Sequence, residues 1–284
     1  MSKGSVLVTG ASSGIGLEIA VFLAQHGYGV YATMRNLERR AALDAAAARQ
    51  NVKLDVLQLD ITDSASIREA VSAIASRSEG LYGLVNNAGG ILRGYFEDIS
   101  EREMRDVFET NVFGAMAVTR AVLPLLRQAH RGRIIMLSSS AGRMGSPSSS
   151  AYCSSKFALE GFAECLLQEV APLGVEVSLV EPGFVRTELW EKNRHIARGA
   201  SSVDSPYRNW FQKLEQITDH EAESAVLVPA DVAEVVLQIL EAKSPRIRYV
   251  VGRRARFLLN LRRYLPGEIF DRLWTREMTR RVSK

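Results

Sequence analysis

Two side chains one helical turn apart carry the most suggestive chemistry of the chain, Tyr152 and Lys156. A Tyr-x-x-x-Lys spacing sets phenol and ammonium on one face of a helix. A phenol with an ordinary pKa near ~10 is a poor proton acceptor at neutral pH. Neighbouring positive charge stabilises phenolate, and a fall of roughly 3 pKa units takes about 4 kcal/mol of differential interaction. A group so tuned exchanges protons efficiently near working pH. The spacing alone arises often by chance, so its company decides its meaning. Ser139 follows the apolar run Ile134–Leu137 and could hydrogen-bond a substrate carbonyl, stabilising charge that develops on its oxygen. Asn111 falls inside a helical pattern, where a surface position or a kink is the plain alternative. Beside Lys156 it could instead hold a water and complete a proton relay.

A second group of residues reads as a phosphate cradle. The first apolar strand pattern ends in Thr9-Gly10-Ala11-Ser12-Ser13-Gly14-Ile15-Gly16, and a helical pattern follows at once. Glycines there let backbone approach a pyrophosphate, and the helix N-terminus offers free N–H groups and a favourable dipole. Between first strand and first helix, such a turn points to a dinucleotide. The end of the second strand then selects the cofactor. An acid would accept hydrogen bonds from a ribose 2′-OH and repel a 2′-phosphate. The chain instead reads Ala32-Thr33-Met34-Arg35-Asn36. Arg35 can pair with a phosphate and Ser13 can donate to it, so NADP(H) is favoured over NAD(H); the plain alternative for Arg35 is a surface charge opening the next helix. Asp60, in Leu59-Asp60-Ile61 at the end of the third strand, either binds the adenine amino group or caps a helix. An oxidised nicotinamide would supply a second cation near Tyr152.

The elements that must position these groups alternate along the chain. Strand patterns near 6–8, 30–32, 56–59, 84–85, 134–137, 175–180 and 248–251 are separated by helical stretches near 16–26, 36–49, 64–78, 101–129, 150–171 and 230–242. The alternation predicts a parallel α/β sheet with helices on both faces, since its strands are nearly continuous apolar runs. The 284 residues are read as one unit over 1–284, with a long mixed segment at 187–228 as a substrate lid and a basic helical extension at 253–284. The apolar fraction of 46% and charged fraction of 24% are ordinary for a soluble globular protein. The opening MSKGSVLVTG runs straight into strand pattern, and no apolar run approaches the ~18 residues of a membrane span, so a cytoplasmic location is expected. Cys153 and Cys165 lie ~18 Å apart if one helix carries both, too far for a bridge. The histidines His26, His130, His195 and His220 lack ligand spacing, so no metal site is expected.

The joint pattern resembles the short-chain dehydrogenase/reductase family. Thr9 to Gly16, Asn86-Asn87-Ala88-Gly89, Asn111, Ser139, Tyr152-x3-Lys156 and Pro182-Gly183-Phe184-Val185-Arg186-Thr187 occur in family order over about residues 5–190. Val30 to Asn36 and Tyr152 to Gly161 resemble in particular the estradiol 17-beta-dehydrogenase and retinol dehydrogenase branch, with its bacterial relatives. The resemblance implies a Rossmann-type doubly wound sheet of about seven strands. It implies Tyr152 as acid/base, Lys156 as its modulator and ribose ligand, Ser139 as substrate orienter and Asn111 as relay support. Cofactor contacts are implied at Gly10, Ser12, Ser13, Gly14, Ile15, Gly16, Arg35, Asp60, Ile61, Asn87, Ala88, Gly89, Tyr152, Lys156, Pro182, Gly183, Val185 and Thr187. A homodimer or homotetramer through the helices at 101–129 and 150–171 is implied as well.

Three function classes follow. The leading one is NADP(H)-dependent interconversion of a ketone or aldehyde and an alcohol, on a ring-containing or long-chain lipophilic substrate (steroid-, retinoid- or polyketide-like). The lid residues Trp190, Tyr207, Trp210, Phe211, Leu214 and Ile217 support that substrate class unless they only seal the core; from Trp210 onward they fit an amphipathic helix. An NAD-dependent alcohol dehydrogenase acting on a small polar substrate is the neighbouring alternative. The second class is a non-catalytic dinucleotide sensor, which would have no need of a tuned phenol. The third rests on the tail: residues 246–284 hold twelve Lys/Arg against three acids, a charge of +9 within a net +4. That tail is either a solvated rim or a peripheral membrane contact through Phe257, Leu258 and Leu261. No nucleic-acid motif accompanies it.

Overall fold

The computed structural model describes residues 3–77, 80–128, 131–187 and 194–283. Its strands are β1 (Ser5–Val8), β2 (Gly29–Met34), β3 (Asp55–Gln58), β4 (Gly83–Asn86), β5 (Ile91–Arg93), β6 (Gly132–Leu137), β7 (Val175–Pro182), β8 (Arg194–Ile196) and β9 (Arg248–Val251). Seven of them form a parallel sheet in the order β3-β2-β1-β4-β6-β7-β9. The order reverses between β1 and β4, so this is a doubly wound Rossmann-type sheet with its crevice at that switch.

Central strands are apolar on both faces because helices cover both. Every residue of β6 is buried. One core lies between the sheet and α1 (Gly14–Gln25), α2 (Ala41–Arg49) and, much later in the chain, the helix Pro229–Glu241. The other lies between the sheet and α3 (Ser64–Ala75), the helical region 101–128 and the helix Ser150–Val170. Val118, Val122 and Leu126, spaced four residues apart, are fully buried on that second face, each adding roughly 1.5–3 kcal/mol of apolar burial.

The region expected as one helix over 101–129 is not uniform. α4 (Glu101–Phe108) opens on a capping box between Ser100 and Glu103, a π-helical turn follows at Glu109–Gly114, and α5 runs over Ala115–Gln128. A methyl group on Gly114 would lie 2.9 Å from the Ile61 backbone oxygen, so the chain there hugs the loop after β3. Thereafter come α6 (Ser150–Val170), α7 (Arg208–Glu223), α8 (Pro229–Glu241), α9 (Arg253–Tyr264) and α10 (Gly267–Ser283). A feature that the sequence pattern did not suggest is a small two-stranded sheet, β5 with β8, which ties the loop after β4 to the 187–228 segment. Trp190 lies outside the described residues. Among the described residues, no helix is long and apolar enough to cross a membrane.

Candidate active site

The sequence-selected residues converge at the carboxyl edge of β1, β4, β6 and β7. Gly10 and Gly14 take φ values of +70° and +57°, which side chains rarely adopt. A methyl on Gly10 would stand 2.9 Å from Ala88 Cα, and one on Gly16 2.3 Å from the Gly10 carbonyl oxygen. The turn therefore packs tightly on the loop after β4. At Gly14 the same methyl meets only Thr187, at 3.8 Å, and the Ser13 side chain makes no capping bond to α1. Space thus remains in front of the α1 N-terminus, with no acid in its first turn, as a phosphate requires. Asn87 braces this cradle: its Nδ2 donates to the carbonyls of Thr9 (2.9 Å) and Gly10 (3.1 Å). Thr9, whose role was invisible in the sequence, accepts at Oγ1 from the backbone N–H groups of Asn87 and Ala88, both at 3.0 Å.

At the end of β2 the Arg35 side chain is exposed. It does not open the next helix; Asn36 caps that 3-10 turn by accepting from Glu38 N at 2.9 Å. Asp60 is no helix cap either. Its Oδ1 accepts from Thr62 N (2.9 Å) and Thr62 Oγ1 (2.7 Å), whereas Asp63 caps α3 through Ala65 N. Ile61 is buried next to it.

On α6, Lys156 is buried and donates from Nζ to the Leu137 carbonyl at 2.7 Å, with Nζ 5.8 Å from the Tyr152 ring centroid. Ser139, in the bend after β6, accepts from Ala141 N at 3.1 Å, and it pulls the Tyr152 phenol down against the effect of burial. Asn111 is neither on the surface nor incidental. It is buried in the π-helical turn, accepts from Gly90 N (2.9 Å) and donates to Gly90 O and to Ser155 Oγ, both at 3.0 Å. π-turns recur at functional sites because the extra residue re-aims side chains. Ser155, which the sequence reading passed over, passes the chain on to the Tyr152 carbonyl at 2.7 Å. A methyl on Gly89 would sit 3.0 Å from Asn111 Oδ1 and 3.8 Å from Lys156 Nζ, so the three meet. Beyond them Ser139 Oγ reaches Pro182 O at 3.5 Å, Gly183 N donates to Val251 O, and Val185 bridges to Leu227.

The protein by itself does not lower the phenol's pKa. Burial pushes Tyr152 up to about 12, with the Ser139 hydrogen bond pulling the other way. Burial also takes Lys156 down to about 8, against the attraction of Glu160. The expected lowering of Tyr152 thus requires further positive charge at the site.

A model of the family described as short chain dehydrogenase matches residues 4–197. The chain belongs to the short-chain dehydrogenase/reductase family. Human 17-beta-hydroxysteroid dehydrogenase type 1 is 36% identical over 92% of this chain and 81% of its own length, which places the chain in that branch of the family. A short-chain dehydrogenase from Streptomyces avermitilis superposes with a TM-score of 0.81 at 32% identity, covering both chains in full. A variant of actinorhodin polyketide ketoreductase solved with NADPH gives 0.75 at 28% identity, over 88% of this chain and 97% of the other.

In this short-chain dehydrogenase the segment 194–228 is held by charge as much as by apolar packing. Phe211 and Leu214 of α7 face inward, while Trp210 is 46% exposed and Tyr207 stacks on Tyr95 at 4.5 Å. Behind them Arg93 is buried against Glu215 (2.8 Å) and Thr218 (3.0 Å) and also bonds Ser149; Arg194 adds Asp219 at 2.6 Å. Of the tail residues read as membrane contacts, Phe257 and Leu261 are exposed, but Leu258 turns inward beside Leu259 and Phe270.

Proposed function

We propose that the chain is an NADP(H)-dependent oxidoreductase interconverting a ketone or aldehyde and an alcohol on a lipophilic substrate, with Tyr152 as general acid/base. The observation that carries this is that Lys156 and Asn111 meet beside Gly89, with the Tyr152 ring 5.8 Å from Lys156 Nζ and Ser139 acting on the Tyr152 phenol, one sheet edge away from an open glycine cradle. In reduction, the Tyr152 hydroxyl gives its proton to the carbonyl oxygen, to which Ser139 donates a second hydrogen bond. Lys156, oriented by the Leu137 carbonyl, stabilises the phenolate that remains. Asn111 anchors the Gly90 backbone and orients relay water next to Lys156. The bound dinucleotide supplies or accepts the hydride.

The residues fit such a cofactor. The α1 N-terminus with Gly10, Ser12, Gly14, Ile15 and Gly16 suits a pyrophosphate, and Asn87, Ala88, Gly89, Pro182, Gly183, Val185 and Thr187 frame the nicotinamide end. Arg35 with Ser13 suits a 2′-phosphate, Asp60 and Ile61 the adenine, and Lys156 the ribose. The NADPH bound to the related polyketide ketoreductase and the hydroxysteroid named for the human relative support the cofactor and substrate class. A sensor would have no use for the polar set around Tyr152, and an NAD enzyme for small polar alcohols would favour an acid where Arg35 stands. We further read the chain as a homodimer or homotetramer and its C-terminal helices as a peripheral membrane contact compatible with catalysis.

The test is a panel of steroid, retinoid, polyketide-like and small ketones and aldehydes, followed through nicotinamide absorbance with NADPH and NADH. Tyr152→Phe is expected to lose turnover by about a thousandfold or more with NADPH affinity little changed. A near-normal rate in that variant would overturn the mechanism.

A further inference from the structure

Behind the Tyr152–Lys156 pair lies a group of buried charges that the reaction as described does not use. Glu160, one turn beyond Lys156 on α6, and Glu181, on β7 just before Pro182, are 5% and 0% exposed. Arg248 of β9 reaches both carboxylates, Nε lying 3.2 Å from Glu160 Oε2 and 3.1 Å from Glu181 Oε1. It also pairs with Glu164, a further turn along α6. Arg143, closing the bend that starts at Ser139, bonds Glu181 Oε2 at 3.3 Å. A methyl on Gly142 would meet Ser138 Oγ, Glu160 Cγ and the Lys156 carbonyl, all within 3.1 Å. Two arginines (Arg143, Arg248) therefore pair with three carboxylates (Glu160, Glu164, Glu181) from α6 and β7, and Lys156 lies one turn before Glu160 on α6.

We propose that Glu160, whose ionised form Arg248 favours, is a positioning residue for this site: its carboxylate is the counter-charge that helps keep Lys156 an ammonium, and its contacts hold the bend that carries Ser139. The inference rests on the oxidoreductase reading above and assigns it two further residues. Breaking one member of a buried ion group leaves its partners uncompensated, so the effect travels along the series from Arg248 through Glu160 to Lys156. The directions agree. Burial raises Glu160 to about 7, with Arg248 and Arg143 opposing and Glu181 adding to the rise. Burial lowers Lys156 to about 8, and Glu160 is the charge that resists this. With Glu160 neutral, the Lys156 ammonium is lost at lower pH.

The decisive measurement is the pH profile of kcat and KM for NADPH-dependent reduction of the best panel ketone. In Glu160→Gln the alkaline limb of kcat should move down by about one pH unit with KM little changed. Arg248→Lys keeps a charge but not the fork, and should move the same limb less; Glu160→Asp should restore part of it. An alkaline limb at its wild-type position, with kcat only scaled down, would sink the proposal. Should Glu160→Gln fail to fold, Arg248→Lys carries the same decision. A second arm needs no turnover: the pH dependence of thermal melting. A carboxyl whose folded pKa is raised contributes stability that is fully present below its unfolded pKa near ~4.5 and is lost as pH rises through ~7. Wild type should thus lose melting temperature by about pH 7 relative to Glu160→Gln, and a loss that begins only above pH ~8 would leave Glu160 neutral while Lys156 titrates and overturn its role as counter-charge. Absence of turnover by wild type with every panel compound, together with diverging melting curves, would bring down the oxidoreductase reading instead.

Discussion

Tyr152 and Lys156 are displaced in opposite directions by one cause, burial, which disfavours the charged form of each. A tyrosine near 12 holds its proton at neutral pH, the state that carbonyl reduction needs; alcohol oxidation needs the phenolate and so depends more on added positive charge. Just past β2, Arg35 is exposed and makes no ion pair with a carboxylate among the described residues. Arg35→Asp should therefore lower the kcat/KM preference for NADPH over NADH by about tenfold or more, since it replaces attraction for a 2′-phosphate with repulsion. Unchanged selectivity in coupled absorbance assays would remove Arg35 from the cofactor site. Asn111 and Ser155 show how a residue's meaning depends on partners: each uses its polar atoms to fix backbone beside the reacting groups rather than to face solvent.

Among the elements, the π-helical turn between α4 and α5 and the β5–β8 pair set the mouth of the site. The turn brings Asn111 onto Gly90, and the strand pair brings β8, which leads towards α7, down beside β5. α7 is then locked by Arg93 and Glu215, whose side chains are only 9% and 12% exposed. Replacing Glu215 by Ala strands a buried guanidinium and should cost about 3–5 kcal/mol in chemical denaturation. The double change Arg93→Met with Glu215→Leu should recover most of that loss, because both charges then leave together. Equal destabilisation by single and double variants would show that packing of α7, not the ion pair, holds α7 in place. The ionic seal also qualifies the substrate inference: the apolar face of Phe211 and Leu214 points inward, next to charge rather than to an uninterrupted greasy wall.

For the molecule as a whole, the distribution of charge is uneven, with +9 over residues 246–284 and −5 elsewhere. The C-terminal helices display Phe257, Leu261 and Tyr264 on one stripe of α9, and Ile269 and Leu273 on α10, among arginines. Aromatic and aliphatic tips ringed by cations suit an anionic bilayer surface. Flotation with vesicles containing anionic lipid should carry the protein upward at low salt and release it as salt screens the attraction. Failure to float at low salt would leave the tail a solvated rim.

The amino-acid sequence by itself determined the parallel sheet, the glycine turn and the Tyr152–Lys156 face, because strand and helix periodicity and i, i+4 spacing are local properties of a chain. It also located Ser139 and Asn87 at strand ends, since a residue just past an apolar run must lie at the sheet's edge. It could not show that Asn111 lies in a π-turn, that Asp63 rather than Asp60 caps α3, or that β5 pairs with a strand about a hundred residues away. Nor could it show Arg248 touching Glu160 and Glu181, or Arg93 touching Glu215. Those relations join residues far apart in the chain, and only the folded packing brings their charges within a few ångströms. For the same reason the sequence shows only one side of what sets the pKa of Tyr152: motif spacing reveals the neighbouring cation, whereas the opposing desolvation exists only once the tertiary structure has closed over the phenol.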